Sequence, residues 1–363
     1  MHLEEKIAPA RHGLRAAARP VITGAAHSFP ETRTSQDDLW KEFFLEHYDG
    51  FPLARRIFEN SGISSRSTAV DPRAEREVSN WSTGQRMARY IEEAVPLGKR
   101  TVSNALEAAG LAPSDVGLLA VASCTGYTTP GLDLRLADEL GMSSRVQRLF
   151  IGHMGCYAAV PSLGAVSDFV ASRGRPAVLL CLELTSLHVQ PPTRDIEQIV
   201  AHALFADAAA AVVVEPDAGA GSGYEVIDVV AATDHSTADL MSWQITDLGF
   251  KMGLSPKVPD MLAQHVGEVV RDQLLAPHGL TPEEVTGWAV HPGGKRILEV
   301  VGERLDLPSD ALDASYGVLD ECGNCSSPTV LMVLERLPRT DGPVVAMAFG
   351  PGLTLYAALL RRS

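Results

Sequence analysis

Three side chains, far apart in the chain, have the types that acyl transfer requires. Cys156 follows Gly155 and stands where an apolar helix is expected to begin, after the strand-like run Val146-Gln-Arg-Leu-Phe-Ile151. The N-terminal end of a helix stabilises negative charge, which lowers a thiol pKa and favours the nucleophilic thiolate. His291 closes the apolar run 287–290 and precedes Pro292-Gly293-Gly294, a tight turn. A histidine at the carboxyl end of a buried strand faces the crevice where α/β sheets bind ligands. Asn324 stands at the expected start of a second apolar helix. Each residue also has a plainer reading. Free cysteines are commonly inert core residues, histidines are often structural, and an amide at a helix start is usually an N-cap. Taken together, a cysteine, a histidine and an asparagine suffice to activate a thiolate and hold an oxyanion.

The elements that must position them repeat along the chain. Gly110-Leu-Ala-Pro-Ser-Asp-Val-Gly-Leu-Leu-Ala-Val121 matches Gly279-Leu-Thr-Pro-Glu-Glu-Val-Thr-Gly-Trp-Ala-Val290 at six of twelve positions, with an offset of 279 − 110 = 169. Amphipathic helical stretches, roughly 88–109 and 259–275, precede the two copies. Gly110 and Gly279 read as helix C-caps, where a residue without Cβ takes the left-handed conformation. Each copy ends in an apolar run, 117–122 and 287–290, of the kind a buried strand shows. Downstream, the stretch from Cys156 and the stretch from Asn324 correspond at an offset of 324 − 156 = 168, and strand-like runs 177–181 and 344–348 follow them. A proline early in both helices is tolerable, because the first amide hydrogens have no intrahelical partner. Strands alternating with helices imply a mixed sheet covered on both faces. Two copies imply a duplicated α/β architecture, with a boundary in the Gly-rich stretch Asp217–Tyr224 and halves of residues 1–216 and 217–363. The first ~20 residues are basic and weakly periodic and read as an arm.

A chain of 363 residues with 45% hydrophobic and 21% charged residues accommodates two domain-sized halves. No stretch approaches the ~18 consecutive apolar residues of a membrane span, and the N-terminus has no apolar signal core. Five scattered cysteines do not form a disulfide framework, so a reducing cytoplasm is expected. The formal net charge of −14 argues against a nucleic-acid partner.

Gly155-Cys-Tyr-Ala-Ala159, His291-Pro-Gly-Gly294, Gly323-Asn-Cys-Ser-Ser327 and Phe349-Gly-Pro-Gly-Leu-Thr354 resemble, in order, the signature segments of the chalcone synthase-like, type III polyketide synthase family. Ser123-Cys-Thr-Gly126 with Pro130-Gly131, and Cys181-Leu-Glu-Leu-Thr-Ser-Leu187, extend the resemblance over about residues 20–360. Two of these segments look more like the bacterial alkylpyrone-forming members than the plant enzymes. The resemblance implies a duplicated thiolase fold layered αβαβα. It implies Cys156 as nucleophile, His291 and Asn324 as its partners, and gatekeeper phenylalanines at Phe205 and Phe250. It places Thr125, Gly293 and Gly294 around the substrate. It also implies coenzyme A thioesters as substrates, no metal or redox cofactor, and a homodimer in which the Thr128-Thr129-Pro130 loop reaches the partner's cavity. Two departures stand out. Of the family's basic CoA-binding positions only Arg56 has a match, with Leu53 and Asn60 where plant members carry lysines. Ala206 and Ala208 flank Asp207 where glycines are usual.

The implied reaction loads an acyl-CoA starter on the Cys156 thiolate paired with imidazolium His291. Malonyl-CoA then loses CO2 while His291 and Asn324 bind the enolate oxygen. The carbanion attacks the thioester, and repetition followed by cyclisation gives a pyrone or resorcinol-type ring. Small residues at Cys124, Thr125, Ala158 and Ala159 suggest room for a medium- or long-chain fatty acyl starter, each buried methylene contributing ~0.8 kcal/mol. Met241 and Trp243 stand where they would close that space. Rival readings are a ketoacyl synthase III-like single condensation and a non-catalytic acyl-binding thiolase fold. A hydroxymethylglutaryl-CoA synthase needs a catalytic glutamate, for which no candidate presents itself in the sequence. Cys322-Gly-Asn-Cys325 and His153-Met-Gly-Cys156 have the spacing of four zinc ligands or a redox pair, but the duplication already accounts for both. Replacing the nucleophile, Cys156→Ala, is expected to abolish covalent acyl loading and chain extension. Intact-protein mass after mixing with acyl-CoA checks this, and an adduct persisting in the variant would remove Cys156 from its role.

Overall fold

The computed structural model describes residues 18–217, 223–338 and 340–362. The N-terminal arm up to residue 17 and most of the Gly-rich connection lie outside the described residues. In chain order the strands are β1 (Pro20–Ser28), β2 (Thr32–Ser35), β3 (Ser65–Thr68), β4 (Leu118–Ala122), β5 (Gln147–Ile151), β6 (Ala177–Glu183) and β7 (Ala208–Pro216). The second half contributes β8 (Tyr224–Thr233), β9 (Met241–Thr246), β10 (Gly249–Leu254), β11 (Gly287–Val290), β12 (Pro343–Gly350) and β13 (Thr354–Arg362). Nine strands share one sheet in the order β11-β12-β13-β8-β1-β7-β6-β4-β5, while β2-β3 and β9-β10 form separate ribbons.

The apolar runs explain the layers. β4 and β6 are buried at every position, as a strand covered on both faces must be. Alternate side chains of each strand then enter different cores. Ala120, Leu179 and Ala210 pack inward with Val344, Ala346 and Ala348 of the second half, around the helices Ala159–Arg173 and Pro328–Arg336. Leu119, Val121, Leu180 and Ala211 face outward onto helix Thr83–Ala109. Val345, Met347 and Leu359 face the opposite outer layer, built from Val258–Leu275 and Lys295–Leu305. The order is helix, sheet, helix, sheet, helix: the expected αβαβα sandwich.

The duplication is written into the strand pairing. β4 and β6 are parallel, and β6-β7 and β7-β1 are antiparallel. In the second half, β11 and β12 are parallel, and β12-β13 and β13-β8 are antiparallel. The halves join through β1 and β8, where Val21 pairs with Glu225 and Ile22 with Tyr224. β5 has no counterpart among the described residues. Gly110 and Gly279 both take the left-handed conformation, φ 71° and 68°, and end their helical stretches as expected. No helix among the described residues is long and apolar enough to cross a membrane.

The expected helix starts at the two central positions shift in the structure. Cys156 lies in a 3-10 turn, Gly155–Tyr157, and the α-helix proper begins at Ala159. Asn324 precedes the first residue of its helix, Pro328, by four positions and does not cap it. The reason is local. Gly323, at φ 74°, ends the preceding helix Asp313–Cys322, and the chain then pairs at Asn324 in a bridge with Phe205 instead of turning into the next helix.

Candidate active site

Strand ends from both halves converge on Cys156. Gly155 needs φ 73°, and a Cβ there would lie 3.0 Å from Pro351. A Cβ on Gly350 would meet the Tyr157 ring at 2.8 Å and the Cys156 nitrogen at 3.5 Å. The Gly-Pro-Gly turn after β12 therefore packs directly onto the cysteine, and only glycine permits the approach. His291 follows β11. Its N–H donates to the Met347 carbonyl at 2.9 Å, and its ring meets Phe349 edge-on at 5.8 Å. Phe349 and Gly350 thus touch His291 and Cys156 respectively. Gly293 packs on Phe349 and Gly294 near Leu204.

Asn324 is tied to the first half by its backbone. Its N–H donates to Leu204 O and its carbonyl accepts from Ala206 N, both at 2.9 Å. Its side-chain Oδ1 accepts the Ser326 N–H at 2.8 Å. Only the oxygen of an amide accepts such a bond, so the NH2 end is left as the donor. Ser326 itself is held at φ 57°, a left-handed conformation uncommon for a residue with a Cβ, and is 3% exposed.

A cavity of about 50 Å³ opens beside Cys156, with Thr125, Phe205, Met241, Trp243 and Ser326 among its walls. Of the residues singled out in the sequence, Cys156, Thr125 and Phe205 line it directly together with Met241 and Trp243, whereas His291, Asn324, Gly293 and Gly294 are not among its lining residues. Phe250 stands behind the wall, stacked on His188 at 4.6 Å and 9°. Arg56 is exposed on helix Pro52–Glu59 and takes no part in this cavity. Cys124 borders the space as expected, whereas Ala158 and Ala159 are buried in the core between the sheets. Cys325 directs its thiol at the carbonyl of Cys322, and His153 is exposed, so the spacing that resembles a zinc site does not converge.

Burial sets the electrostatics. It pushes the Cys156 thiol up to about 12, with the Ser326 hydroxyl acting in the opposite direction and the Glu183 charge adding to the rise. It pulls His291 down to about 3. Both ring nitrogens of His291 are buried with no hydrogen-bond partner among the described residues. The thiolate expected from a helix start is thus not favoured by the site alone, because desolvation outweighs the one short turn that precedes the helix.

Comparisons with known proteins agree with this fold. The models for the N-terminal and C-terminal domains of chalcone and stilbene synthases match residues 70–218 and 229–363. The chain belongs to the chalcone and stilbene synthase family. A 1,3,6,8-tetrahydroxynaphthalene synthase of Streptomyces peucetius subsp. caesius is 36% identical, over 99% of this chain and 98% of its own. An alpha-pyrone synthesis polyketide synthase-like protein of Mycobacterium tuberculosis is 31% identical over 93% and 90%. Among solved structures, PKS-I from the brown alga Ectocarpus siliculosus superposes with a TM-score of 0.89 at 31% identity, over 97% of this chain and all of that one. The type III polyketide synthase domain of Steely1 from Dictyostelium shares the fold, with a TM-score of 0.89 at 23% identity and coverage of 95% and 99%.

In this type III polyketide synthase, sequence reading passed over one acidic group. Glu183 ends β6 fully buried and lies close enough to raise the Cys156 thiol electrostatically. Its carboxylate accepts from Cys124 N at 3.0 Å, Thr125 Oγ1 at 2.7 Å and Ser327 Oγ at 3.1 Å. The signal was present: a lone acid closing an otherwise apolar strand. His188 was also missed. It accepts Phe250 N–H at Nδ1 (3.0 Å), so Nε2 carries the proton and donates to Thr125 O at 2.7 Å. Trp243 Nε1 donates to Cys124 O at 2.8 Å. The β9-β10 ribbon is thereby pinned to the loop after β4.

Burial raises the Glu183 carboxyl to about 7 from 4.5, against the hydrogen bonds that lower it. The folded chain therefore keeps this proton over a range where the unfolded chain has lost it. The associated stability is fully present below pH 4.5 and is lost as pH rises to about 7. At 1.36 kcal/mol per unit the difference is about 3 kcal/mol. Urea midpoints for the unmodified chain and Glu183→Gln should diverge by that order between pH 4.5 and 7.5, the unmodified chain losing more. Parallel pH profiles would contradict it.

Proposed function

We propose that this family member condenses malonyl-CoA iteratively onto a starter held as a Cys156 thioester and cyclises the product to a pyrone or resorcinol-type ring. Residues 1–216 supply the nucleophile and residues 217–363 the imidazole and the amide. The observation that carries this reading is the Asn324 side chain, whose oxygen is occupied by Ser326 N–H. Its NH2 is thus free to donate to an oxyanion, while Cys156 and His291 are desolvated. In such a site a thiol-to-imidazole proton shift produces the nucleophile only when an acyl-CoA is present to consume it. During extension the carboxylate–carbon bond of the malonyl group breaks and CO2 leaves. The electron pair stays as an enolate, whose oxygen takes hydrogen bonds from Asn324 and His291. A ketoacyl synthase III-like enzyme would stop after one condensation, so the number of extensions separates the two readings.

The cavity size favours a short starter over the medium- or long-chain acyl group expected from the sequence. About 50 Å³ beside Cys156 is room for roughly four water-sized groups, with Met241, Met252 and Trp243 among its walls. Two of the four small residues that suggested a longer tunnel, Ala158 and Ala159, face the core instead. We further propose a homodimer. Among the described residues β5 pairs only with β4, leaving one edge open, and Leu149, Phe150, Tyr127 and Leu134 are exposed on or beside it. An open, apolar strand edge is the usual template for pairing with another chain, and a second copy of the same edge satisfies both.

Incubation with malonyl-CoA and acyl-CoAs of increasing length, with products read by mass spectrometry, tests the reaction. Products with two or more extensions are expected, with kcat/KM falling as the starter lengthens. A rise toward long chains would overturn the starter assignment, and a single condensation would overturn the iterative one. Sedimentation at micromolar concentration should give a dimer; a particle of 38.8 kDa would contradict it.

A further inference from the structure

Arg66 lies on β3 and is 3% exposed. Its Nη1 donates to the carbonyls of His202 at 2.7 Å and Phe205 at 2.6 Å. Nε and Nη2 have no hydrogen-bond partner among the described residues, and the guanidinium carbon sits 5.8 Å from the centre of the Phe58 ring. Burying a cation is costly unless it meets well-placed acceptors. The two acceptors here are carbonyls at the C-terminal end of helix Ile196–Leu204, the end where a helix dipole favours positive charge.

The Phe205 carbonyl lies within the segment that bonds to Asn324. Leu204 O accepts from Asn324 N, and Ala206 N donates to Asn324 O. The strand carrying Arg66 also packs on the other side of the same bridge. A Cβ on Gly323 would lie 3.6 Å from Arg66 Cβ and 3.2 Å from Leu204 O. Arg66 therefore grips the first-half side of the bridge through hydrogen bonds and the second-half side through packing. Phe205, whose carbonyl it holds, is also a wall of the cavity beside Cys156.

We propose that Arg66 is a positioning residue for malonyl decarboxylation: by holding the His202 and Phe205 carbonyls it fixes the Phe205 wall of the cavity and the Asn324 backbone bridged to it. This rests on the function proposed above. It makes a distinction that a general stabilising role does not. Acyl loading on Cys156 needs the thiol and His291, whereas decarboxylation needs the Asn324 donor as well. Losing Arg66 should separate the two steps.

The test compares Arg66→Met, which keeps the bulk without donors, and Arg66→Lys, which keeps a charge and three donors at a single nitrogen. Loading is read by intact mass with acetyl-CoA, and decarboxylation by CO2 release from malonyl-CoA. Arg66→Met should slow CO2 release at least tenfold while loading stays within threefold, and Arg66→Lys should fall between it and the unmodified chain. In the Asn324→Ala background, Arg66→Met should cost decarboxylation little more, because both changes remove one donor. Loss of both steps by one factor, no loss in either, or full additivity with Asn324→Ala would overturn the proposal. If the methionine variant does not fold, the lysine variant decides: a ratio of decarboxylation to loading lowered twofold or more supports it, and an unchanged ratio overturns it. An unmodified chain that neither loads nor decarboxylates would instead refute the function on which the proposal stands.

Discussion

The backbone bridge between Leu204–Ala206 and Asn324 is the constraint on which the site depends. Cys156 and the Phe205 wall of the cavity belong to the first half, and His291 and Asn324 to the second. The sheet join between the halves, two residue pairs on β1 and β8, lies on other strands. Two 2.9 Å hydrogen bonds at Asn324 set the relative position of its amide and the Phe205 wall. The bridge forms only because Gly323, at φ 74°, ends one helix abruptly and leaves an extended residue before the next. Close packing around it means a shift of an ångström on either side would be transmitted to the donor.

A second theme is dryness. His291 and Glu183 show no exposure, Asn324 2% and Cys156 7%. Desolvation raises the thiol and the carboxyl and lowers the imidazole, so the resting site is close to uncharged. Neutrality suits chemistry in which a carboxylate loses neutral CO2 and its charge passes to an enolate, since fixed donors then act without competition from water. Glu183 is tolerated because Cys124, Thr125 and Ser327 donate to it. It also holds the loop after β4 against the start of a central helix, which is a structural service whatever its protonation.

Much of the fold was legible in the sequence because duplication leaves a local trace. Gly110 and Gly279 are both helix ends, and the runs 117–122 and 287–290 are strands almost to the residue. Strands buried on both faces show unbroken apolar runs, and cap glycines stand where only left-handed backbone fits. These are short-range properties, readable without knowing what packs against what. The Cys-His-Asn set was legible as residue types at strand and helix boundaries, and its assignment as the working triad remains a proposal.

The sequence by itself determined the duplicated alternation of strands and helices and the chemical inventory of the site, since each follows from local periodicity and residue type, while the αβαβα layering came from the family resemblance. Only the tertiary structure decided how that inventory is used. It showed Asn324 bridged to Phe205 instead of capping a helix, Ala158 and Ala159 turned to the core, and Phe250 a layer behind His188. It set Glu183 beside Cys156, left Arg56 outside the cavity, and put Met241 and Trp243 among the cavity walls. The physical reason is common to all of these. Burial, desolvation and cavity volume are set by residues from remote segments meeting in space, and no window of sequence contains both members of such a contact.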